Sequence, residues 1–162
     1  SCRVSCRSWV AGVNSPPRAG TPGTHTDVTA NGETGLIGIV IVAHGGLAEE
    51  YLSAVEHVVG KQSGVRAIAI SPDHDRGAKQ TEICEAADAV DTGGGVVVVT
   101  DMFGGSPSNL SLRACSPSDR KIIYGANLPL LIKLTKSRHK PLEVAVSAAL
   151  AAGRKYIDSV DG

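Results

Sequence analysis

The 162-residue chain is poor in aromatic side chains and carries no net charge. Phe, Trp and Tyr make up only 3% of it, so its core has to come from Val, Ile, Leu and Ala. Lys plus Arg and Asp plus Glu both number 16, which gives no electrostatic case for binding nucleic acid or an anionic membrane. The longest apolar runs, near residues 36–43 and 96–99, are far shorter than the ~20 residues of a membrane-spanning helix. We therefore expect a soluble protein.

The chain has four cysteines and no CxxC pair. Cys2 and Cys6 are close enough in sequence to bind a metal or form a cross-link, but no pair of His or Cys partners stands near them. Cys84 and Cys115 are isolated from each other in sequence. We expect reduced, unrelated thiols in a cytosolic protein, and no metal site.

The composition changes near residue 35. The residues before this point are rich in Ser, Thr, Gly and Pro and show neither helical nor strand periodicity. They lack the amphipathic pattern of an organelle transit peptide. We assign residues 1–35 to a disordered or non-native leader and residues 36–160 to one folded domain.

From residue 36 onward, apolar runs alternate with helical patterns. The runs show almost no polar alternation, which is typical of strands covered on both faces. Strands are predicted at 36–43, 65–70, 96–101 and 121–125, and helices at 47–59, 77–90, 107–115, 129–137 and 141–155. Such alternation predicts right-handed crossovers and a three-layer, doubly wound α/β domain. We expect a mainly parallel sheet of four or five strands.

The carboxyl ends of parallel strands meet at one edge of a sheet, and ligands bind there. The first strand leads into His44, Gly45 and Gly46, and the second into Ser71-Pro72-Asp73. The third leads into Asp101, Phe103, Gly104, Gly105 and Ser106, and the fourth into Asn127. Asp73 and Asp75 either border the mouth of this site or serve as plain turn residues, and both interpretations stay open. The remaining histidines, at 25, 57, 74 and 139, are interpreted as solvated or packed residues.

His44 and Asp101 together suggest nucleophilic chemistry. A neutral imidazole keeps one nitrogen lone pair, and a carboxylate that accepts the other ring N–H fixes the tautomer and stabilises the cationic ring. Gly-Gly turns let a backbone approach a ligand closely, and N–H groups at a helix start attract anions. The pattern predicts a histidine that accepts a phosphoryl group. Capping or packing by His44, and plain turn chemistry at Asp101, remain open at this point.

Three sequence blocks make the pattern more specific. IVIVAHGGLAEEYL, VVVVTDMFGGSPSN and YGANLPLLIKL occur in this order, and together they resemble the EIIA domain of the mannose class of the phosphotransferase system (PTS). The resemblance extends from about residue 37 to residue 160. It implies the fold of that class.

The resemblance also implies a function and its residues. His44 would be phosphorylated by phospho-HPr and would pass the phosphoryl group to a separate EIIB protein for sugar uptake, while Asp101 orients its ring. Gly45, Gly46, Gly104, Gly105 and Ser106 would bind phosphate, and Phe103, Asn127 and Pro129 would wall the site. The implied protein is a cytoplasmic homodimer in peripheral contact with a membrane sugar permease, with no nucleic-acid partner.

No cofactor or metal is expected. The chain has no GxxxxGK[ST] loop and no carboxylate cluster suited to Mg²⁺. Transfer between two histidines needs positioning and electrostatic stabilisation more than covalent machinery.

Several alternatives accompany this interpretation. A regulatory phospho-switch would act by partner binding without transporting sugar. The related phosphoryl donor subunit of dihydroxyacetone kinases is expected to differ at DMFGGSPSN. A hydrolase using Ser106, His44 and Asp101 is disfavoured, because GxSxG is absent and Pro107 lacks the N–H that an oxyanion hole commonly uses. A binding module with a structural His44 is also disfavoured.

Overall fold

The computed structural model describes residues 35–115 and 117–162. The prediction for residues 1–34 lies outside this part of the chain. The described residues form four strands, β1 (Gly38–His44), β2 (Val65–Ile70), β3 (Val96–Thr100) and β4 (Arg120–Tyr124). All neighbours pair in parallel, in the order β2-β1-β3-β4. The helices are α1 (Leu47–Val59), α2 (Arg76–Val90), α3 (Ser106–Ser111), α4 (Leu128–Lys136) and α5 (Leu142–Lys155).

Helices cover both faces of the sheet. Ile39, Ile41 and Ala43 of β1 are buried against α1, α4 and α5. Val40 and Val42 of the same strand are buried on the other face, with α2 and α3. A strand enclosed in this way has no face left for polar residues, which explains its unbroken apolar run. The predicted three-layer, mainly parallel α/β fold is confirmed.

Several element boundaries differ from prediction. β1 begins at Gly38 and includes His44, β3 ends at Thr100, and β4 covers Arg120–Tyr124. The helix predicted at 107–115 is an α-helix only over Ser106–Ser111 and continues as a 3₁₀ turn over Leu112–Cys115. Ser108 Oγ donates to the carbonyl of Gly105 (2.9 Å) and Ser111 Oγ to that of Pro107 (2.6 Å). Such side-chain bonds to nearby carbonyls compete with regular helix formation.

Gly38 brings α2 close to the central strand. A Cβ atom at this position would lie 2.4 Å from the carbonyl oxygen of Val90 and 2.6 Å from its Cγ2. Because the first of these neighbours is backbone, it cannot move aside as a flexible side chain can. Only glycine therefore allows the end of α2 to pack this closely on β1.

Arg138 stabilises the sheet edge at which the strands begin. Its buried guanidinium donates from Nε to the carbonyl of Ile37 (2.7 Å), and from its terminal nitrogens to the carbonyl of Gly64 and to Oε1 of Gln62 (3.3 Å each). Burial lowers the pKa of Arg138. These bonds connect the segment after α4 to the residues that precede β1 and β2. The carboxyl ends of the strands lie at the opposite edge of the sheet.

Candidate functional site

The ends of β1 and β3 lie side by side at the point where the strand order changes direction. Val42 of β1 pairs with Thr100 of β3. His44, the last residue of β1, and Asp101, the first residue after β3, therefore lie at adjacent strand ends. After β1 the chain crosses to β2 on one side of the sheet, and after β3 it crosses to β4 on the other side. The crevice at such a switch point is where open α/β sheets bind their ligands.

Asp101 holds His44 by two hydrogen bonds to one oxygen. Asp101 Oδ2 accepts from the backbone N–H of His44 at 2.9 Å and from its ring Nδ1 at 2.8 Å. The other oxygen, Oδ1, accepts from the N–H of Met102 at 2.9 Å. Since an ionised carboxylate can only accept, Nδ1 of the neutral ring carries the hydrogen and Nε2 keeps the lone pair.

The environment keeps this carboxylate ionised. Burial alone raises the pKa of Asp101. Four other effects lower it and together outweigh burial: the hydrogen bonds from the backbone and the ring of His44, the charge of that ring when it is protonated, and the hydrogen bond from Met102. The net result is a pKa below the ordinary value of 3.8. The Asp101 side chain is 10% exposed, whereas that of His44 is 47% exposed. The pair therefore combines a shielded carboxylate with an accessible imidazole.

Gly105 lies directly against the ring of His44. A Cβ atom on Gly105 would lie 3.0 Å from Cε1 and 3.6 Å from Nε2 of His44, and 3.3 Å from Cγ of Met102. Its neighbour Gly104 has a φ of +79°, in the left-handed region that favours glycine. The two glycines thus have different tasks, because Gly104 turns the chain and Gly105 leaves room for the imidazole.

Two other predicted phosphate-binding glycines follow His44. Gly45 has a φ of +55° and turns the chain from β1 toward α1. Its N–H donates to the carbonyl of Ile70 at 2.9 Å, so it is already engaged. This N–H is not free to bind phosphate, and a phosphate-binding role for Gly45 stays a prediction. Gly46 is the residue that precedes α1, in ordinary backbone geometry (φ −83°).

A cavity of about 360 Å³ opens beside the histidine. Its lining residues are His44, Gly45, Ile70, Ser71, Pro72, His74, Arg76 and Ser106. The sequence predicted that His44, Gly45, Ser71, Pro72 and Ser106 lie at this edge. It interpreted His74 as a turn residue and gave no prediction for Arg76. The sequence signal was the position of both just after β2, the strand that neighbours β1.

Phe103 forms an exposed aromatic pair near the histidine. It is 76% exposed, and its ring meets that of Tyr124 edge to face, with centroids 5.0 Å apart and planes at 84°. Met102, 53% exposed, lies between Phe103 and Asp101 in sequence. These three side chains form an apolar surface at the sheet edge that carries the site.

Asn127 and Pro129 are not among the residues that line the His44 cavity. Asn127 Oδ1 accepts from the N–H of Leu130 at the start of α4, and Nδ2 donates to the carbonyl of Gly153 in α5, both at 2.9 Å. Pro129 lines a separate groove between α4 and α5, together with Lys133 and Tyr156. The structure thus gives Asn127 a capping role, and the expectation that these two residues wall the site stays a prediction.

Within residues 35–115 and 117–162, no group of three or more His, Cys, Asp or Glu side chains is arranged to hold a metal ion. No helix in the same part of the chain is long and apolar enough to cross a membrane.

Residues 38–151 match the family described as "PTS system fructose IIA component", EIIA-man. The chain belongs to this family. The matched span includes His44, Asp101 and every residue of the cavity. The predicted relationship to mannose-class EIIA domains is thus confirmed.

Individual relatives agree with this membership. The mannose-specific EIIAB component of the PTS from Escherichia coli K12 is 28% identical over 127 residues, which cover 76% of this chain and 39% of that protein. The match therefore spans about two fifths of the length of this EIIAB relative. A Streptococcus pneumoniae PTS IIA protein associated with the fucose utilization operon is 30% identical, with a TM-score of 0.65 over 72% of this chain and 90% of that one.

A third relative supports the fold alone. The mannose/sorbose-specific IIA subunit from Enterococcus faecalis has a TM-score of 0.70 at 18% identity, covering 78% of this chain and 96% of that one. Strand order and layering are thus shared even where few side chains are.

Proposed function

We propose that this EIIA-family chain is a phosphoryl carrier of the sugar PTS. His44 accepts a phosphoryl group from phospho-HPr on Nε2 and passes it to an EIIB domain. The observation that carries this proposal is the double hydrogen bond from His44 to Oδ2 of Asp101, at 2.9 and 2.8 Å. It fixes the proton on Nδ1 and leaves Nε2 as the nucleophilic nitrogen of an accessible side chain.

The transfer is an in-line exchange of one N–P bond for another. The Nε2 lone pair of His44 forms the new bond to phosphorus while the bond to the donor nitrogen breaks, and the donor imidazole keeps that electron pair. As Nε2 is phosphorylated, positive charge develops on the ring of His44, whose Nδ1–H stays hydrogen-bonded to Asp101. The ionised carboxylate stabilises this charge. Passing the group to EIIB is the same step in the opposite direction.

The surroundings of Nε2 suit a phosphoryl group. Ser106, a residue with a hydroxyl, lines the cavity beside His44, and Gly105 has no side chain to crowd the ring. Backbone N–H groups near Gly46 and Gly104 complete the proposed phosphate-binding set. The apolar surface of Phe103, Met102 and Tyr124 is the proposed contact for partner proteins.

The cellular role is proposed from the relatives. The names of the relatives refer to mannose and to a fucose operon, which supports a role in sugar uptake. We propose a cytoplasmic homodimer that reaches a membrane sugar permease through its EIIB partner. A regulatory role would begin with the same phosphorylation and would end on a different partner.

Incubation with phosphoenolpyruvate, Enzyme I and HPr tests the proposal, with acid-labile phosphate measured by intact-protein mass spectrometry. We expect one phosphate per chain in the wild type and none in His44→Ala. The matched control is His57→Ala, because His57 is an exposed histidine on α1, and it should be labelled normally. An unlabelled wild type, or a label that survives in His44→Ala, would contradict the proposal.

Two further arms separate the alternatives. Adding purified EIIB proteins to the labelled chain should discharge it, whereas discharge by none of them would favour the regulatory role. Ser106→Ala should still be phosphorylated, because the hydroxyl is a ligand of the phosphate and not the nucleophile. Loss of all labelling in Ser106→Ala together with esterase activity in the wild type would favour a hydrolase.

A further inference from the structure

The cavity beside His44 has a second wall, formed by the turn between β2 and α2. His44 pairs with Ile70 in the parallel register of β1 and β2, so the residues after Ile70 lie next to those after His44. Ser71, Pro72, His74 and Arg76 line the cavity from this side, opposite Ser106. Asp101 holds the ring through Nδ1, which leaves Nε2 as the ring nitrogen available to the cavity.

The turn holds a fixed conformation. The ring of His74 donates from Nδ1 to the carbonyl of Ser71. Asp75 then caps α2, its Oδ1 accepting from the N–H of Ala78 at 2.6 Å. Arg76 is the first residue of the helix that this cap starts. The backbone at Arg76 is therefore held by the hydrogen bond between His74 and Ser71 before it and by the cap from Asp75 to Ala78 around it.

Arg76 differs from the other arginines that the structure places in structural contacts. Arg120 is paired with Asp88 at 2.6 Å, and Arg138 is buried against backbone carbonyls. Across residues 35–115 and 117–162, no carboxylate lies within ion-pair distance of the exposed Arg76. Arg76 thus lines the cavity as a cationic residue whose charge no ion pair compensates.

We infer that Arg76 binds the phosphoryl group carried on Nε2 of His44 and so stabilises the phosphorylated form of the protein. The inference rests on the proposed function and adds a phosphate-binding cation to it. A phosphoryl group on nitrogen is anionic and presents acceptor oxygens, and a guanidinium is matched to such groups by its planar set of donors. The interaction exists only after transfer, so it favours phosphorylated over unphosphorylated protein.

The equilibrium constant for phosphoryl exchange with HPr measures this effect. It depends only on the free energies of the phosphorylated and free proteins, so altered docking of the donor cannot imitate it. We expect Arg76→Gln to lower the constant about fivefold, the size of a partly exposed charged contact. Arg76→Lys, which keeps the charge but not the planar donor set, should give an intermediate value.

Arg66→Gln is the matched control. Arg66 is an exposed arginine at the start of β2, far from the cavity at its end, and its replacement should leave the constant unchanged. Because the contact is exposed, the difference between wild type and Arg76→Gln should shrink as KCl rises from about 0.05 M to 1 M. Circular dichroism and thermal unfolding would show that each variant is folded.

The possible failures are distinguishable. A wild type that takes no phosphate on His44 overturns the proposed function and this inference together. A wild type that is phosphorylated, with Arg76→Gln giving the same equilibrium constant at low salt, overturns only the role of Arg76. An equal decrease in Arg66→Gln would show a general charge effect and would also overturn it.

Discussion

Asp101 Oδ2 accepts hydrogen bonds from both the backbone N–H and the ring Nδ1 of His44, at 2.9 and 2.8 Å. The two residues are 57 positions apart in sequence, and pairing of β1 with β3 brings them together. The backbone bond fixes where the carboxylate lies relative to the end of β1, and the ring bond fixes how the imidazole is rotated. One oxygen therefore determines both the position and the tautomer of the proposed nucleophile.

Replacing Asp101 tests the ring bond directly. Asp101→Asn removes the negative charge that stabilises the ring as it becomes cationic, so phosphoryl transfer from phospho-HPr should slow by about 100-fold. The initial rate of labelling measures this effect. Asp119→Asn, at an exposed carboxylate just before β4, should react at the wild-type rate. Equal rates for Asp101→Asn and wild type would remove the orienting role.

The same carboxylate makes stability depend on pH. The pKa of Asp101 is lower in the folded protein than its ordinary value of 3.8. The ionised form therefore stabilises the fold above pH 3.8, and this contribution is lost as the pH falls through the folded pKa. At about pH 6 the free energy of unfolding, measured in urea, should be larger for wild type than for Asp101→Asn, and this difference should decrease toward about pH 2. A difference that stays constant over this range would contradict the assignment.

Two glycines next to the histidine should respond differently to alanine. In Gly105→Ala the new methyl group would lie 3.0 Å from Cε1 of His44, which is tight enough to shift the ring slightly from its position. Labelling should therefore fall about tenfold. In Gly46→Ala the nearest atom is Oε2 of Glu49 at 3.9 Å, an ordinary contact, and labelling should be nearly unchanged. Equal labelling of both variants would show that the space in front of the ring is not required.

Asn127 should matter for stability. Asn127→Ala removes the cap of α4 and the bond to Gly153, and should lower the free energy of unfolding by about 1–2 kcal/mol. Asn127→Asp keeps an oxygen for the cap but loses the donor to α5, so its loss should be smaller. Urea denaturation measures both. The labelling rate of folded Asn127→Ala should match that of wild type, because Asn127 does not line the His44 cavity. A large decrease in this rate would support a role for Asn127 in walling the site.

Phe103 tests the proposed partner surface. Phe103→Ala should raise the KM for phospho-HPr about fivefold with little change in kcat, because the exposed ring contributes contact area and no chemistry. Tyr156→Ala is the control, since Tyr156 is also exposed but borders the α4–α5 groove. A decrease in kcat without a change in KM would place Phe103 in the chemical step instead.

Local sequence pattern predicted most of the secondary structure but not how helix α3 ends. The apolar runs predicted four strands and the helical spacing of apolar residues predicted five helices, because enclosed strands are continuously apolar and packed helices repeat about every 3.6 residues. The 3₁₀ turn at Leu112–Cys115 follows a helix whose serines, Ser108 and Ser111, bond to backbone carbonyls. Sequence pattern alone does not show such contacts.

For the site, the sequence by itself determined the residue types at the strand ends, a histidine and a carboxylate among them. Tertiary structure decided the rest, because distances between strand ends depend on sheet order and register. It showed that Asp101 bonds Nδ1 and not Nε2, and that the N–H of Gly45 is already engaged by Ile70. It also placed Arg76 in the cavity while Pro129 lies in another groove. The second wall of the cavity comes from the turn after β2, the strand that pairs with β1, and not from the residues that follow His44 in sequence.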